Sequence, residues 1–239
     1  MKAELIDHMG TDLTVVNAAR VSFNKESDWW QTFGQGTFYS EDFGAWVLLS
    51  EKDQKLIKYL ATHNHWTPFS HVQITMRETV PIFVARQRFK HMVGFTYNEV
   101  SRRYVDDEPE FFTPDVWRKA AENKKQGSSD EAVILFDDGH GYNYIPIHEE
   151  YETFLANCEY MYNGLLKAGV APEQARMVLP QSMLTEYYVT GSLAAWGRAY
   201  KQRIDDHAQK EIQDLAKQWS EIIGGIPELK YSWEALTNG

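Results

Sequence analysis

The sequence contains a single cysteine, no long apolar run and few positive charges. One cysteine, Cys158, excludes an intrachain disulfide and any zinc finger built from cysteine ligands. No apolar stretch approaches the length that crosses a membrane, and the N-terminus "MKAELIDHMGTDL" lacks the basic and apolar regions of a signal peptide. We therefore expect a cytoplasmic protein that has no membrane partner.

The shortage of positive charge also limits the partners. The chain has 24 Lys and Arg against 34 Asp and Glu, a net charge of -10, so its surface as a whole should repel nucleic acid. Basic residues are nevertheless crowded into "RQRFKHMVGFTYNEVSRRY", residues 86–104. A local basic cluster on an acidic chain predicts a binding site for a small anion.

Length and patterning predict one domain of the α+β class. The 239 residues, 43% of them hydrophobic, suffice for a single domain over residues 1–239. The fold expected is helix-rich, with a small, mostly antiparallel sheet. Residues 105–144 are charged and then rich in glycine and serine, with little periodicity, which indicates an exposed excursion.

Apolar periodicity and capping residues locate the elements. Strands are predicted in "DLTVVNAARVSF", with Arg20 and Ser22 in the turn after it, in "HVQITMRETV" and in "SMLTEYYVT". Helices are predicted from a cap at Ser50 to about His63, in "PIFVARQRFKHM", from about Ile147 to Lys167, in "APEQARMVLP", after a cap at Ser192, and last in "HAQKEIQDLAKQWSEIIGG". Helical spacing around Cys158 favours burial of the thiol over a role as nucleophile.

The histidines of "HNHWTPFSH" invite a metal interpretation. The spacing of His63, His65 and His71 fits neither a helical histidine pair nor a zinc signature, so we predict no metal site. The Thr-Pro between them predicts a turn. Either this turn presents a hydroxyl and an imidazole to a ligand, or it is a solvated helix end.

The basic cluster has two interpretations. Arg86, Gln87 and Lys90 fall at near-helical spacing, and a face of two cations and an amide suits phosphate. The alternative is an exposed face paired with the many carboxylates of this chain. The continuation "NEVSRRY" adds Asn, Glu, Ser and two Arg within one short loop, which favours the ligand site.

A second polar group lies near the C-terminus. Arg203 and His207 are four residues apart in "RIDDHAQ", neighbours if the helix continues and facing groups if it breaks. Asp205 and Asp206 are either salt-bridge partners or an N-cap for the last helix, and we favour the cap. Arg176, in "EQARMV", indicates by itself only a helix arginine.

Together these segments resemble the flavin-dependent thymidylate synthases. The signature of that family is an Arg-His-Arg triplet followed seven or eight residues later by the serine of Asn-Glu-x-Ser-x-Arg-Tyr. Here the triplet is Lys90-His91-Met92, and eight residues later Ser101 follows inside "NEVSRRY". "HWTPFSH", "ARMVLP" and "RIDDHAQKEI" match further family segments in the right order, so that the resemblance spans about Ala18 to Glu234 apart from the excursion.

The resemblance implies an activity, cofactors and an assembly. It implies the reductive methylation of dUMP to dTMP, with methylenetetrahydrofolate as carbon donor, FAD as redox cofactor and NADPH as reductant. It also implies a homotetramer whose active sites are shared between subunits. No side-chain nucleophile is needed, because the cofactor supplies the hydride chemistry.

The resemblance also assigns residues. Ser101, Arg103 and Arg176 are expected near the phosphate and Arg203 against the uracil, with Arg203 and Ser101 as the catalytic candidates. The residues expected to contact dUMP are Gln87, Arg88, Phe89, Lys90, Glu99, Val100, Ser101, Arg102, Arg103, Arg176 and Arg203. Those expected to contact FAD are Thr67, Lys90, His91, Met92, Glu99, Ser192, Leu193, Ala194, Arg198 and His207.

The chain departs from the family pattern at several positions. Lys90 and Met92 stand where the triplet usually has arginines. Lys90 keeps a positive charge but lacks the planar guanidinium group, and Met92 has no charge. Ser192 replaces an asparagine and Ala194 an arginine, while Arg198 supplies a cation one helical turn later.

Two other functions stay open on sequence grounds. One is a flavin-dependent methylase or hydroxymethylase of another pyrimidine nucleotide such as dCMP, which would differ only around the base. The other is a non-catalytic nucleotide-binding or RNA-binding module built on the basic cluster. A flavin spectrum of the purified protein separates the enzymes from the module.

Overall fold

The computed structural model describes residues 1–32, 34–104, 108–121, 127–137 and 144–238. The helices are α1 Asp12–Arg20, α2 Glu51–Thr62, α3 Ile82–Arg88, α4 Ile147–Lys167, α5 Pro172–Ala175, α6 Leu193–Arg203, α7 Lys210–Gly224 and α8 Lys230–Thr237. Short 3-10 helices cover Val21–Phe23, Pro68–His71, Arg176–Val178 and Pro227–Leu229. The strands are β1 Lys2–Met9, β2 Trp30–Thr32, β3 Phe38–Ser40, β4 Ala45–Leu48, β5 Gln73–Pro81, β6 Phe95–Glu99, β7 Arg118–Ala120, β8 Ser128–Ala132, β9 Leu135–Asp137, β10 Tyr144–Pro146 and β11 Leu184–Ser192.

A four-stranded antiparallel sheet organises the fold. Its strand order is β1-β5-β11-β6, so strands distant in sequence lie side by side. The two long central strands pair from Leu184 opposite Pro81 to Ser192 opposite Gln73. Along β5 buried and half-buried residues alternate, which is the pattern of a strand with one face on a core.

The helices cover the buried face of this sheet. The core joins Ile74 and Met76 of β5 to Trp196 of α6 and Trp219 of α7, all with no exposed surface. Burial of these large side chains is the main stabilising contribution. The predicted α+β class with a small antiparallel sheet is confirmed.

Most of the predicted elements are confirmed. Ser50 caps α2 by accepting a hydrogen bond from the Asp53 backbone amide, and Ser192 caps α6 in the same way from Ala195. The predicted strands after His71 and Ser182 correspond to β5 and β11. The helix predicted from Ile147 to Lys167 has those bounds as α4, followed by Gly169 at a φ of +86°.

The strand predicted in "DLTVVNAARVSF" is wrong, because that segment forms α1. Thr11 and Thr14 form a reciprocal capping box at its start. Val15 and Val16 are fully buried, and Ala19 packs on the same core. Because four-residue spacing joins Val15 to Ala19, the apolar run has a helical face.

Three other helix predictions, an end, a cap and a position in the chain, also need correction. The helix in "PIFVARQRFKHM" ends at Arg88, since the next residues form a turn. Neither Asp205 nor Asp206 caps the helix that follows: α7 begins after Gln209, and the Asp205 carboxylate accepts the backbone amide of His207. That helix is not the last one, because α8 follows it.

The predicted excursion falls partly outside the described residues, at 105–107, 122–126 and 138–143. Its described parts include the antiparallel pair β7-β8 and the strand β9, which pairs with β10. Arg118 donates to the Glu211 carboxylate at 2.5 Å and so connects β7 to α7. This part of the excursion is therefore held against the helices.

None of the helices within the described ranges is long and apolar enough to cross a membrane.

Candidate active site

The turn after α3 brings the basic cluster to the end of the sheet. Its backbone closes on itself through Phe89 N to Ala85 O at 2.8 Å and His91 N to Arg88 O at 3.1 Å. Gly94 ends the turn at a φ of +81°, where an added Cβ would lie 2.9 Å from that of Ala195. Glycine is thus required for both conformation and space.

A large cleft lies where β6 runs into "NEVSRRY". Its volume is about 1020 Å³, and we call it the arginine cleft. The residues that line it include Glu99 to Arg103 and also Arg176, Met177 and Leu179. Of the residues predicted to contact dUMP, six line this cleft: Glu99, Val100, Ser101, Arg102, Arg103 and Arg176.

The cleft combines cations with an oriented carboxylate. The Arg103 guanidinium donates to the Ser101 hydroxyl at 3.3 Å, so that a hydroxyl and a cation face the cleft together. Thr185, nearly buried on β11, donates its hydroxyl to Glu99 Oε1 at 2.7 Å. Such a set can bind an oxyanion on the arginine side and a hydroxyl-bearing ligand at the carboxylate.

A second cleft of about 580 Å³ lies beside the start of α6, and we call it the α6 cleft. Ser192, Ala194 and Arg198 line it together with Trp66, whose ring is largely exposed. These residues come from two of the segments that are predicted to contact the flavin, one before β5 and one at the start of α6. A cation beside an open indole face can receive an anionic ligand that carries an aromatic ring.

A third group, the Arg203 cluster, joins the end of α6 to the end of α3. Arg203 Nε donates to His91 Nε2 at 2.8 Å, and Arg203 Nη2 donates to the Gln87 carbonyl oxygen at 3.2 Å. The Gln87 amide donates in turn to the Gln209 side chain. Two of the five guanidinium donors are thereby used to orient Arg203, and three are left for a ligand.

Burial and positive neighbours keep His91 neutral. Burial comes first, followed by the charges of Arg203, Arg88 and Arg198, and together they lower the pKa of His91 to about 4. The unfolded chain would take up this proton near pH 6.5. The contribution of neutral His91 to stability is therefore complete above about pH 6.5 and is lost as the pH falls towards 4.

Two of the predicted contact residues are fully buried, and a third packs against the core. Arg88 and Leu193 have no exposed surface, and the Phe89 ring packs on Tyr97 and Tyr187 with ring centres 5.0 and 4.8 Å away. The predicted contacts of these three residues with dUMP or FAD stay predictions.

Arg88 is enclosed by opposite charge and aromatic rings. Its Nε lies 3.2 Å from the buried Glu78 carboxylate, and its Nη1 donates to the Tyr97 hydroxyl at 2.5 Å. Its Cζ lies 4.4 Å from the centre of the Phe95 ring and 4.7 Å from that of Trp219. Part of the basic cluster in the sequence is thus a buried ion pair and contributes no charge to the surface.

The remaining predicted residues are exposed around these groups. Thr67, Lys90, Met92 and His207 all lie at the surface. The helix α6 ends at Arg203, and His207 forms a hydrogen bond with Asp205 at 2.9 Å. His63 forms a hydrogen bond with the Tyr59 carbonyl at the end of α2. Among the described residues there is no group of three His, Cys, Asp or Glu placed to hold a metal.

Sequence reasoning missed three residues that shape the site: Thr185, Gln209 and Tyr97. Each acts on a predicted residue through a side-chain hydrogen bond. Thr185 lies on the same buried face of β11 as Tyr187 and Val189, and Gln209 belongs to the segment "RIDDHAQKEI" that resembles the family. Tyr97 shows no sequence signal of its own except that it directly precedes the segment "NEVSRRY".

We predict that Cys158→Ser keeps most of the activity. Cys158 is half-buried on α4, where burial raises the pKa of its thiol and so disfavours the reactive thiolate. The residue lines none of the three groups described above. Steady-state turnover of the folded variant checks this, and a fall of about a thousandfold would instead indicate nucleophilic catalysis.

Comparison with known proteins identifies the family. The family model for thymidylate synthase complementing protein matches residues 4–226. A flavin-dependent thymidylate synthase from Thermosipho africanus is 37% identical over 212 residues, covering 89% of this chain and 81% of the relative. The chain belongs to the flavin-dependent thymidylate synthase family. The predicted family is confirmed, and so is the prediction of a methyltransferase enzyme of this type.

Other members and a solved structure agree. A flavin-dependent thymidylate synthase from Thermus thermophilus is 36% identical over 219 residues, which is 92% of this chain and 70% of the relative. The structure of PolB, a UMP/dUMP methylase from Streptomyces cacaoi bound with 5-Br dUMP, superposes with a TM-score of 0.72. It is 26% identical and covers 99% of this chain and 94% of its own.

Proposed function

We propose that the protein methylates dUMP to dTMP, with methylenetetrahydrofolate as carbon donor, FAD as redox cofactor and NADPH as reductant. The methylene carbon forms a bond to pyrimidine C5, whose hydrogen leaves as a proton, and its bonds to the folate nitrogens break so that tetrahydrofolate leaves. NADPH supplies the hydride that brings this carbon to a methyl group. The observation that carries the proposal is the arginine cleft, where three arginines and the Ser101 hydroxyl line one cleft together with Glu99 and four further glutamates.

Each group in the site has a part in this reaction. Arg103, Arg176 and the Ser101 hydroxyl bind the phosphate, because charge-assisted hydrogen bonds to phosphate are the strong ones. Glu99, oriented by Thr185, accepts a ribose hydroxyl. Arg203 faces the uracil and stabilises negative charge on its ring as the proton at N3 is lost.

The α6 cleft fits FAD. Arg198 offers a cation for the diphosphate, the exposed Trp66 ring offers a stacking surface, and Gly94 keeps the backbone free of a side chain at the cleft. Lys90 adds a second charge from the turn beside it. When bound, FAD supplies the hydride chemistry, while these residues hold and orient it.

We further propose a homotetramer with shared sites, formed by a chain that is itself a single domain. Of the described residues that line the arginine cleft, none belongs to the Arg203 cluster. We propose that a nucleotide in the arginine cleft reaches the Arg203 cluster of a second copy of the chain. Light scattering of the purified protein measures this, and an active monomer would contradict it.

The test is product formation by the folded protein. With dUMP, methylenetetrahydrofolate, FAD and NADPH present, we expect dTMP and oxidised NADPH. Omission of each component in turn identifies the true co-substrates. Absence of dTMP from a folded, flavin-loaded tetramer would contradict the proposal.

UMP is the second candidate substrate, because the solved structure with a TM-score of 0.72 is that of a UMP/dUMP methylase. Both nucleotides share the base and the phosphate, and differ only at the ribose 2′ position. Parallel assays with dUMP, UMP and dCMP at equal concentrations rank the three. Turnover of dCMP alone would point to the other pyrimidine methylases.

We predict that Lys90→Ala weakens the binding of both dUMP and FAD, whereas Lys90→Arg stays within roughly tenfold of the parent. Lys90 is exposed in the turn between the Arg203 cluster and the α6 cleft, where its charge serves as a point charge without a fixed fork. Loss of one hydrogen bond to a charged group costs about 1.5–3 kcal/mol. Titrations of the folded variants with dUMP and with FAD measure both affinities.

Arg86→Ala is the matched control for Lys90, since Arg86 is also exposed and lies one helical turn earlier on α3. It should bind both ligands like the parent. If Arg86→Ala loses them and Lys90→Ala does not, the alignment of the triplet is wrong by one turn.

A further inference from the structure

The contact between Arg203 and His91 constrains the protonation of the imidazole. Arg203 Nε can only donate, and it lies 2.8 Å from His91 Nε2. His91 Nε2 must therefore carry the lone pair, which leaves the ring neutral with its proton on Nδ1. The imidazole acts here as an acceptor for the cation and as a fixed support for the guanidinium plane.

The position of His91 is in turn fixed by Tyr97. The Tyr97 hydroxyl, on β6, donates towards the carbonyl oxygens of His91 at 2.8 Å and of Arg88 at 3.1 Å. It accepts from Arg88 Nη1 at 2.5 Å, and Arg88 is anchored on Glu78. Burial raises the pKa of Tyr97 to about 12, so its proton is available throughout the working range of pH.

We propose that His91 is a positioning residue that aims Arg203 at the nucleotide through its neutral imidazole, and that the Tyr97 hydroxyl holds His91 in place for this purpose. The claim that Arg203 is aimed at a nucleotide rests on the proposed function. The claim that neutral His91 accepts a hydrogen bond from Arg203 does not rest on it. The two claims are tested by separate experiments.

The electrostatic surroundings make this contact dependent on pH. The groups that face His91 are Arg203 and Arg198 from α6, Arg88 from α3 and the Tyr97 hydroxyl from β6. All three charges are positive, so a protonated imidazole would be repelled and would lose its bond to Arg203. Acid should therefore release Arg203 near the pKa of His91 and no earlier.

The first experiment needs no nucleotide. Long-range proton–nitrogen spectra of histidine-labelled protein report the tautomer and titration of each ring, and His91→Gln assigns the His91 signals. We expect an Nδ1–H tautomer that stays neutral well below pH 6. An Nε2–H tautomer, or titration at the ordinary value of about 6.5, would overturn the proposal.

Tyr97→Phe tests the support, with Tyr187→Phe as its matched control. Tyr187 belongs to the same buried group, but its hydroxyl donates to Glu78 at 2.5 Å and not to the turn. We expect Tyr97→Phe to raise the pKa of His91 towards 6.5, because the loosened turn admits water. Tyr187→Phe should leave it unchanged. Equal shifts in both variants would assign a merely structural role to Tyr97.

The second experiment measures dUMP affinity at saturating FAD. His91→Leu removes the acceptor and should weaken dUMP about tenfold, while His91→Gln retains an acceptor and should stay within about threefold. In the Arg203→Ala variant neither His91 substitution should weaken dUMP binding further, because His91 acts through Arg203. Additive losses would overturn the proposal. If the parent protein binds no dUMP, the proposed function fails, and the spectra still decide the contact.

Discussion

Arg203→Ala is expected to lose turnover and dUMP affinity together. Arg203 is half-buried, and two of its donors are fixed by His91 and by the Gln87 carbonyl. Its remaining donors are thus pre-organised for charge that develops on the pyrimidine. Removing one such donor typically raises the barrier by about 2.7–4 kcal/mol, or about a hundredfold to a thousandfold in kcat.

Steady-state kinetics with dUMP and equilibrium titration of dUMP measure the two effects. Lys167→Ala is the control, because Lys167 is likewise a cation in the last turn of a helix but lies at the exposed end of α4. It should match the parent in both assays. A fully active Arg203→Ala variant with unchanged dUMP affinity would mean that this arginine does not face the base.

The elements predicted correctly are those whose pattern is local. In β5 the alternation of Ile74 and Met76 reports one buried face, and in α4 helical spacing continues over six turns. Caps at Ser50 and Ser192 marked the helix starts. Such signals need no knowledge of what the element packs against.

The elements that were missed depend on distant partners. Few side chains of β1 and β6 are buried. These segments form strands because their backbones pair with the edges of β5 and β11. The helix α1 differs from these strands, because Thr11 and Thr14 can cap each other and provide a local signal for a helix start.

The same distinction applies to the site. Motif residues such as Ser101, Arg103 and Arg176 meet in one cleft, as a nucleotide site requires. The sequence places Arg88 in the same basic cluster, because its ion-pair partner Glu78 lies on another element and local sequence does not reveal the pair. The inward position of Glu78, between the buried Met76 and Val80, was the available signal, since a buried carboxylate needs a cation.

Arg88→Met is expected to destabilise the fold strongly, although methionine fits the available length. Glu78 would remain fully buried with its charge uncompensated, and among the described residues the Tyr187 hydroxyl alone would still donate a hydrogen bond to it. Removing one partner of a buried pair costs about 3–5 kcal/mol. Urea unfolding measured by tryptophan fluorescence is a suitable assay, because Arg88 lies against the Trp196 and Trp219 rings.

The double variant Arg88→Met with Glu78→Leu separates the charge from the packing. It removes both buried ions and keeps apolar volume, so it should recover most of the unfolding free energy that the single change loses. Arg77→Met is the control, since Arg77 lies on the same strand as Glu78 and pairs with Glu186, but with both side chains partly exposed. Its effect should be far smaller. If Arg88→Met proves no worse than Arg77→Met, Arg88 and Glu78 do not form a buried ion pair in solution.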